Sequence, residues 1–183
     1  MNLIINDYIL LILIFLSMYF DLTKKKIPNL ITFPAMLWGL VIYSVFFGIE
    51  GFKFSLIGFL VGLGVFLIPF ILGGMGGGDV KLMAAIGALK GWEFVLYNTV
   101  YAGLVGGIIV IIFLIYKKKL WITLKKAFGM IIRPILFILN ITFDNQRLKK
   151  INDYFLNLES IKEKHYIPYG VAIGLGTLLV YFI

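Results

Sequence analysis

The side chains able to do chemistry in this 183-residue chain are few. There is no cysteine and one histidine, His165, which excludes disulfides, thiolate zinc sites, cysteine nucleophiles and a histidine-built metal centre. Carboxylates, hydroxyls and amines remain. Of the nine acidic residues, Asp21 and Asp79 stand out because each sits at the margin of a long apolar run, on its basic side, outside any polar loop. A charge so placed costs free energy, about 2.5–3.5 kcal/mol at a helix centre in a bilayer and less near its surface. The plain alternative for each is a solvated helix end, and for Asp21, just before Lys24-Lys25-Lys26, the two readings are evenly matched. Two aspartates held together share a proton: one can act as base on water while the other donates to a carbonyl oxygen. Aspartyl hydrolysis is therefore the hydrolytic mechanism this inventory permits.

Asp79 follows Gly73-Gly74-Met75-Gly76-Gly77-Gly78. Five glycines in six residues oppose a stable helix, so the chain is expected to open at membrane depth, where protein or a wet cavity must satisfy its backbone. Such a stretch also leaves room for a second, extended backbone. A phosphate loop is the rival reading, but G-x-x-x-x-G-K-[ST] is absent and a carboxylate repels phosphate. The main non-enzyme alternative is a small ion- or proton-coupled transport protein that uses Asp79 in a broken helix.

Positioning these groups falls to apolar helices. The composition, 61% hydrophobic and 14% charged, with a mean hydropathy of +1.01, excludes an ordinary water-soluble fold. Apolar runs over 3–20, 30–47, 54–72, 94–116 and 167–183 are each about long enough to cross a bilayer, and 80–89 makes a short fourth span between glycine breaks. The expectation is one all-α domain over 1–183, a polytopic membrane protein of about six transmembrane helices. Seventeen Lys and Arg against nine Asp and Glu give a net charge of +8. Fourteen of the seventeen fall in 24–26 and 117–164, between apolar runs, which points to a membrane with anionic lipids and away from nucleic acid. The positive-inside rule then puts both basic segments in the cytoplasm and both termini outside. Segment 117–164 reads as a basic cytoplasmic or interfacial loop with an amphipathic helix lying on lipid. Small residues spaced by four, Gly58 and Gly62, Ala84 and Ala88, Gly103 and Gly107, Gly170 and Gly174, predict close helix packing.

Gly76-Gly77-Gly78-Asp79 matches the G-x-G-D signature of intramembrane aspartyl proteases. Its setting, Met75 to Leu82, resembles the type IV prepilin peptidases, as does Asp21-Leu-Thr-Lys-Lys-Lys-Ile-Pro-Asn29. Ile167-Pro-Tyr-Gly-Val-Ala-Ile-Gly-Leu-Gly176 is similar to the last-helix motif of that family, with Val171 where a second proline is common. The resemblance implies catalytic Asp21 and Asp79, no cofactor and no metal. The implied substrate is a pilin-like precursor whose basic leader, ending in glycine before an apolar helix, is cut at the cytoplasmic edge of a prokaryotic cell membrane. Larger members carry an N-terminal methyltransferase region, often with paired C-x-x-C motifs; this cysteine-free chain looks like the small, peptidase-only type, so methyl transfer is not expected. Substrate contacts are expected at Gly76, Gly77 and Gly78. Lys81, Asn29 and Tyr169 are further candidates, against plainer readings as a snorkelling lysine, a helix cap and an interface aromatic.

Overall fold

The computed structural model describes residues 4–118 and 168–183, with 121, 123, 125 and 132 as single positions between them. The chain forms two compact units, Met1–Ile109 with Ile167–Ile183, and Val110–Tyr166; both aspartates belong to the first. Five helices are described: α1 (Ile4–Lys24), α2 (Asn29–Ile71), α3 (Gly77–Lys90), α4 (Trp92–Tyr116) and α5 (Tyr169–Phe182). The described elements are all helical, as the hydropathy pattern predicts.

Local chemistry sets the boundaries. Asp7 in the first turn of α1 and Lys24 in its last complement the helix dipole. Lys25, at φ 54, takes the chain out of α1, and Pro28, extended at φ −67 and ψ 141, leads into α2. Gly48 breaks α2 with φ 59 and ψ −141. On a straight helix Gly39 and Gly58 would lie about 28 Å apart. Instead Gly39 packs on the Ala88 backbone and Gly58 on that of Gly87, so the two arms of α2 fold back around the same level of α3.

α3 is the enclosed element. Val80 and every residue over 82–89 are buried, and its backbone meets Gly39, Gly58 and Gly62 of α2 without intervening side chains. The last carbonyls of a helix have no intrahelical partner, which is costly away from water. Here Tyr43 on one arm of α2 donates to Leu89 O (2.9 Å), Ser55 on the other donates to Ala88 O (2.7 Å), and Gly91 N–H closes on Gly87 O (2.8 Å). Beside them Lys90 pairs with Asp7 (2.6 Å), tying the end of α3 to the start of α1. Asn98 Nδ2 donates to Thr177 Oγ1 (2.8 Å), a buried polar link between α4 and α5. Leu104, Ile108 and Ile112 of α4 are exposed, as suits a protein solvated by lipid.

Three sequence expectations change. Among the described residues three helices, α1, α2 and α4, are long and apolar enough to cross a membrane, not six. The runs at 30–47 and 54–72 do form separate helical arms, as expected, on either side of the break at Gly48 in α2. The 14-residue α3 is short, as expected of 80–89, but α5 is also only 14 residues, shorter than the run 167–183 implied; each rises about 21 Å against a hydrocarbon core of about 30 Å. Gly103 and Gly107 meet no described neighbour, unlike Gly58 and Gly62, so spacing alone did not mark a contact. The expected lipid-surface helix within 117–164, apart from a few positions, and His165 lie outside the described residues.

Because a Cβ on Gly58 or Gly62 would run into the carbonyls of Gly87 or Met83, Gly58→Ala and Gly62→Ala should destabilise the fold by about 1–3 kcal/mol. Gly103→Ala should stay within about 0.5 kcal/mol of the starting protein. Thermal unfolding in detergent measures all three.

Candidate functional site: two buried carboxylates

Asp21 lies in the last full turn of α1 and Asp79 in the first turn of α3. They are 4% and 7% exposed, which replaces the solvated-end reading for both. The opposite end of the bundle carries Asp7 and Lys90. Asp21 is about 21 Å along α1 from Asp7, and Asp79 and Lys90 stand at the two ends of α3.

The glycine run delivers Asp79. After Leu72 the chain turns through Gly73, at φ 75, with Gly73 N–H donating to Phe70 O and Gly74 N–H to Pro69 O (both 2.9 Å). Gly76 is extended, exposed and caps α3. The open stretch is shorter than expected, because Gly77 and Gly78 are already helical. Asp79 closes the turn reciprocally: its N–H donates to Gly76 O (3.1 Å), and Gly76 N–H donates to its Oδ2 (3.1 Å). Gly78 has a separate task, since a Cβ there would lie 3.1 Å from Ile27 Cβ and 3.3 Å from Ile27 N. Its lack of a side chain lets α3 start against the α1–α2 connection.

Asp21 is held from across the bundle. Its Oδ2 accepts the backbone N–H of Val171 (3.2 Å) in the first turn of α5. A Cβ on Gly170 would fall 2.8 Å from Oδ2 and 3.0 Å from Ile27 Cδ1. Ile27, 8% exposed, thus touches the backbone of both neighbouring helices, one beside each aspartate. The two carboxyl groups lie at the same end of the bundle, where the end of α1 and the start of α3 come together around Ile27. Like charges in an apolar setting do not both ionise cheaply, so such a pair is suited to holding one proton between two groups. Ser17, one turn before Asp21 on α1, is fully buried, and its hydroxyl has no partner among the described residues.

The other sequence candidates divide. Lys81 and Asn29 meet each other: Lys81 Nζ donates to Asn29 Oδ1 (2.9 Å) and stands 5.6 Å from the centre of the Phe33 ring. Asn29 is the first helical residue of α2, and Pro28 is its cap, so the expected helix-cap role does not fall to Asn29. Tyr169 opens α5, half-buried, one residue before Gly170. Gly76 and Gly77 line the turn into Asp79. Sequence reasoning missed Ile27, Gly170 and the Val171 N–H. Their one sequence signal was membership in the I-P-N and P-Y-G stretches, which carried no role until the contacts were known.

Residues 8–111 match the Type IV leader peptidase family, a stretch that includes both aspartates. The chain is 33% identical over 95 residues to the prepilin leader peptidase/N-methyltransferase of Aeromonas hydrophila, covering 48% of this chain and 32% of that protein. It is also 33% identical over 97 residues to the protein of the same description from Aeromonas salmonicida (strain A449), covering 49% and 33%. The chain spans about a third of the length of these curated relatives. No solved structure matches.

The absence of native cysteine allows a direct test of the pairing. An Asp21→Cys/Asp79→Cys variant treated with a short thiol cross-linker should link its two positions. An Asp21→Cys/Lys90→Cys variant, spanning the bundle, should not. Gel mobility after cleavage at a protease site engineered between the cysteines reads the outcome.

Proposed function

The chain belongs to the Type IV leader peptidase family, and from that premise we propose that it is a membrane aspartyl endopeptidase. Its substrates in this reading are type IV pilin-like or archaeal preflagellin-like precursors, cut at the cytoplasmic face of a prokaryotic cell membrane. The observation that carries the reading is the burial of two carboxyl groups, both within the matched residues, at the same end of an apolar bundle, with Ile27 packed beside the backbone next to each.

In the proposed reaction the ionised member of the Asp21/Asp79 pair takes a proton from water as the water oxygen bonds to the scissile carbonyl carbon. The protonated member gives its proton to the carbonyl oxygen. As the tetrahedral intermediate collapses, the C–N bond breaks, the protonated member gives its proton to the departing nitrogen, and the ionised member takes one from a hydroxyl of the intermediate as the new C=O forms. One carboxyl and one carboxylate remain, ready for another water.

The surroundings supply routes for both parts of such a substrate. The exposed turn over 72–74 and 76 leaves space for an extended leader beside Asp79. Between α1 and the first arm of α2 lies an apolar groove of about 260 Å³, lined by Leu13, Leu16, Leu30, Ile31, Pro34 and Trp38 among others, against which a precursor helix would pack. Lys24, Lys25 and Lys26 stand at the aspartate end, which supports a cytoplasmic site facing anionic lipid. Asp7 near the start of α1 and Tyr181 near the end of α5 both approach Lys90, which supports both termini outside. The proposed activity is peptide cleavage without methyl transfer, supported by a matched stretch that holds both carboxylates and by a sequence without cysteine. Ion-coupled transport would leave the bond between Asp21 and the start of α5 without a role.

Coexpression with a pilin-like precursor tests the reading. The unaltered chain should release the leader, and Asp21→Asn or Asp79→Asn should each lower release on the order of a thousandfold or more. Full cleavage by either variant would sink the dyad.

A further inference from the structure

Resting on that reading, we infer that the first turn of α5 is the positioning element for Asp21: the Val171 N–H and the side-chain-free surface of Gly170 orient its carboxyl group toward Asp79. The two aspartates are held in different ways. Asp79 is oriented within its own turn, by Gly76 three residues earlier. Asp21 accepts a hydrogen bond from a backbone N–H 150 residues further along the chain.

The geometry at α5 suits this task. Pro168 caps the helix, so Val171 is its third residue, and its N–H has no carbonyl to bond within the helix. It is available to a carboxylate, and it lies at the end of the helix whose dipole favours negative charge. Gly170 lets that approach happen. A Cβ there would be 2.8 Å from Oδ2 and 2.9 Å from Cγ of Asp21, closer than carbon packs against either atom. Any side chain at 170 therefore displaces the carboxyl group or pushes α5 from α1. Ile27 blocks escape on the other side, with Cδ1 3.0 Å from that same position. Because Ile27 also bears on Gly78, the residue before Asp79, a shift of α5 changes the relation between the two carboxyl groups as well as the setting of one. Docking of the last helix completes the site.

Three variants of the full chain, purified in detergent and assayed on a pilin-like precursor, test the inference. Val171→Pro deletes the N–H at a first-turn position where proline is tolerated. Val171→Ala keeps the N–H, and Gly170→Ala adds the Cβ. The Val171→Pro and Gly170→Ala proteins should lose kcat by about tenfold or more, with KM within about twofold, while Val171→Ala should keep both within about twofold. Unchanged kcat in Gly170→Ala and in a folded Val171→Pro protein overturns the inference, as does a loss confined to KM. A second readout does not depend on cleavage. In protein labelled with [15N]valine, with the Val171 amide resonance assigned by its loss in Val171→Ala, Asp21→Asn should shift that resonance. If it does not move, the contact is absent and the inference falls even with an active enzyme. If it moves while the unaltered protein leaves the precursor intact, the proposed function falls and the contact stands.

Discussion

Two carboxyl groups are removed from water at one end of a bundle whose other surfaces are largely hydrocarbon, and each must find a donor. Helix starts supply both. Asp79 accepts from the turn that begins its own helix, and Asp21 accepts from the start of α5. The sequence of turns, glycines and helix lengths at this end follows from that requirement. α3 must begin where α1 ends, and α5 must begin against both.

Enclosing α3 makes this possible. In lipid, burial of apolar surface contributes little to helix association, so contact area and internal hydrogen bonds must hold the bundle. Gly39, Gly58 and Gly62 bring the arms of α2 onto the α3 backbone, while Tyr43 and Ser55 satisfy its final carbonyls. The same helix is fixed at its far end by Lys90 and Asp7. A rigid rod held in this way delivers Asp79 to a defined place, and the short open turn at 72–76 can remain exposed beside it.

The parts legible in the sequence were those with strong local signals. Long apolar runs marked an all-helical membrane protein, and the types and placement of Asp21 and Asp79 marked a carboxylate pair. The span count was less legible. Gly48 carries no more local signal than Gly51 nearby, yet it alone breaks α2 into two arms; α3 is bounded by Gly76 and by Gly91 at φ 85, and α5 begins only after Pro168. Gly103 and Gly107 have the same spacing as Gly58 and Gly62, but only the latter pair meets another backbone. Lys81 and Asn29 were separate candidates until their bond joined α3 to α2. Gly170 and Ile27 were invisible as site residues because their importance lies in distances across the bundle, which periodicity does not encode.

In the proposed mechanism Asp21 and Asp79 act as one unit sharing a proton. It is tested most directly by the pH dependence of kcat/KM for precursor cleavage by the purified chain. A bell-shaped profile whose two limbs belong to the pair is expected. Cleavage that stays constant as pH rises, with no alkaline limb, would contradict it.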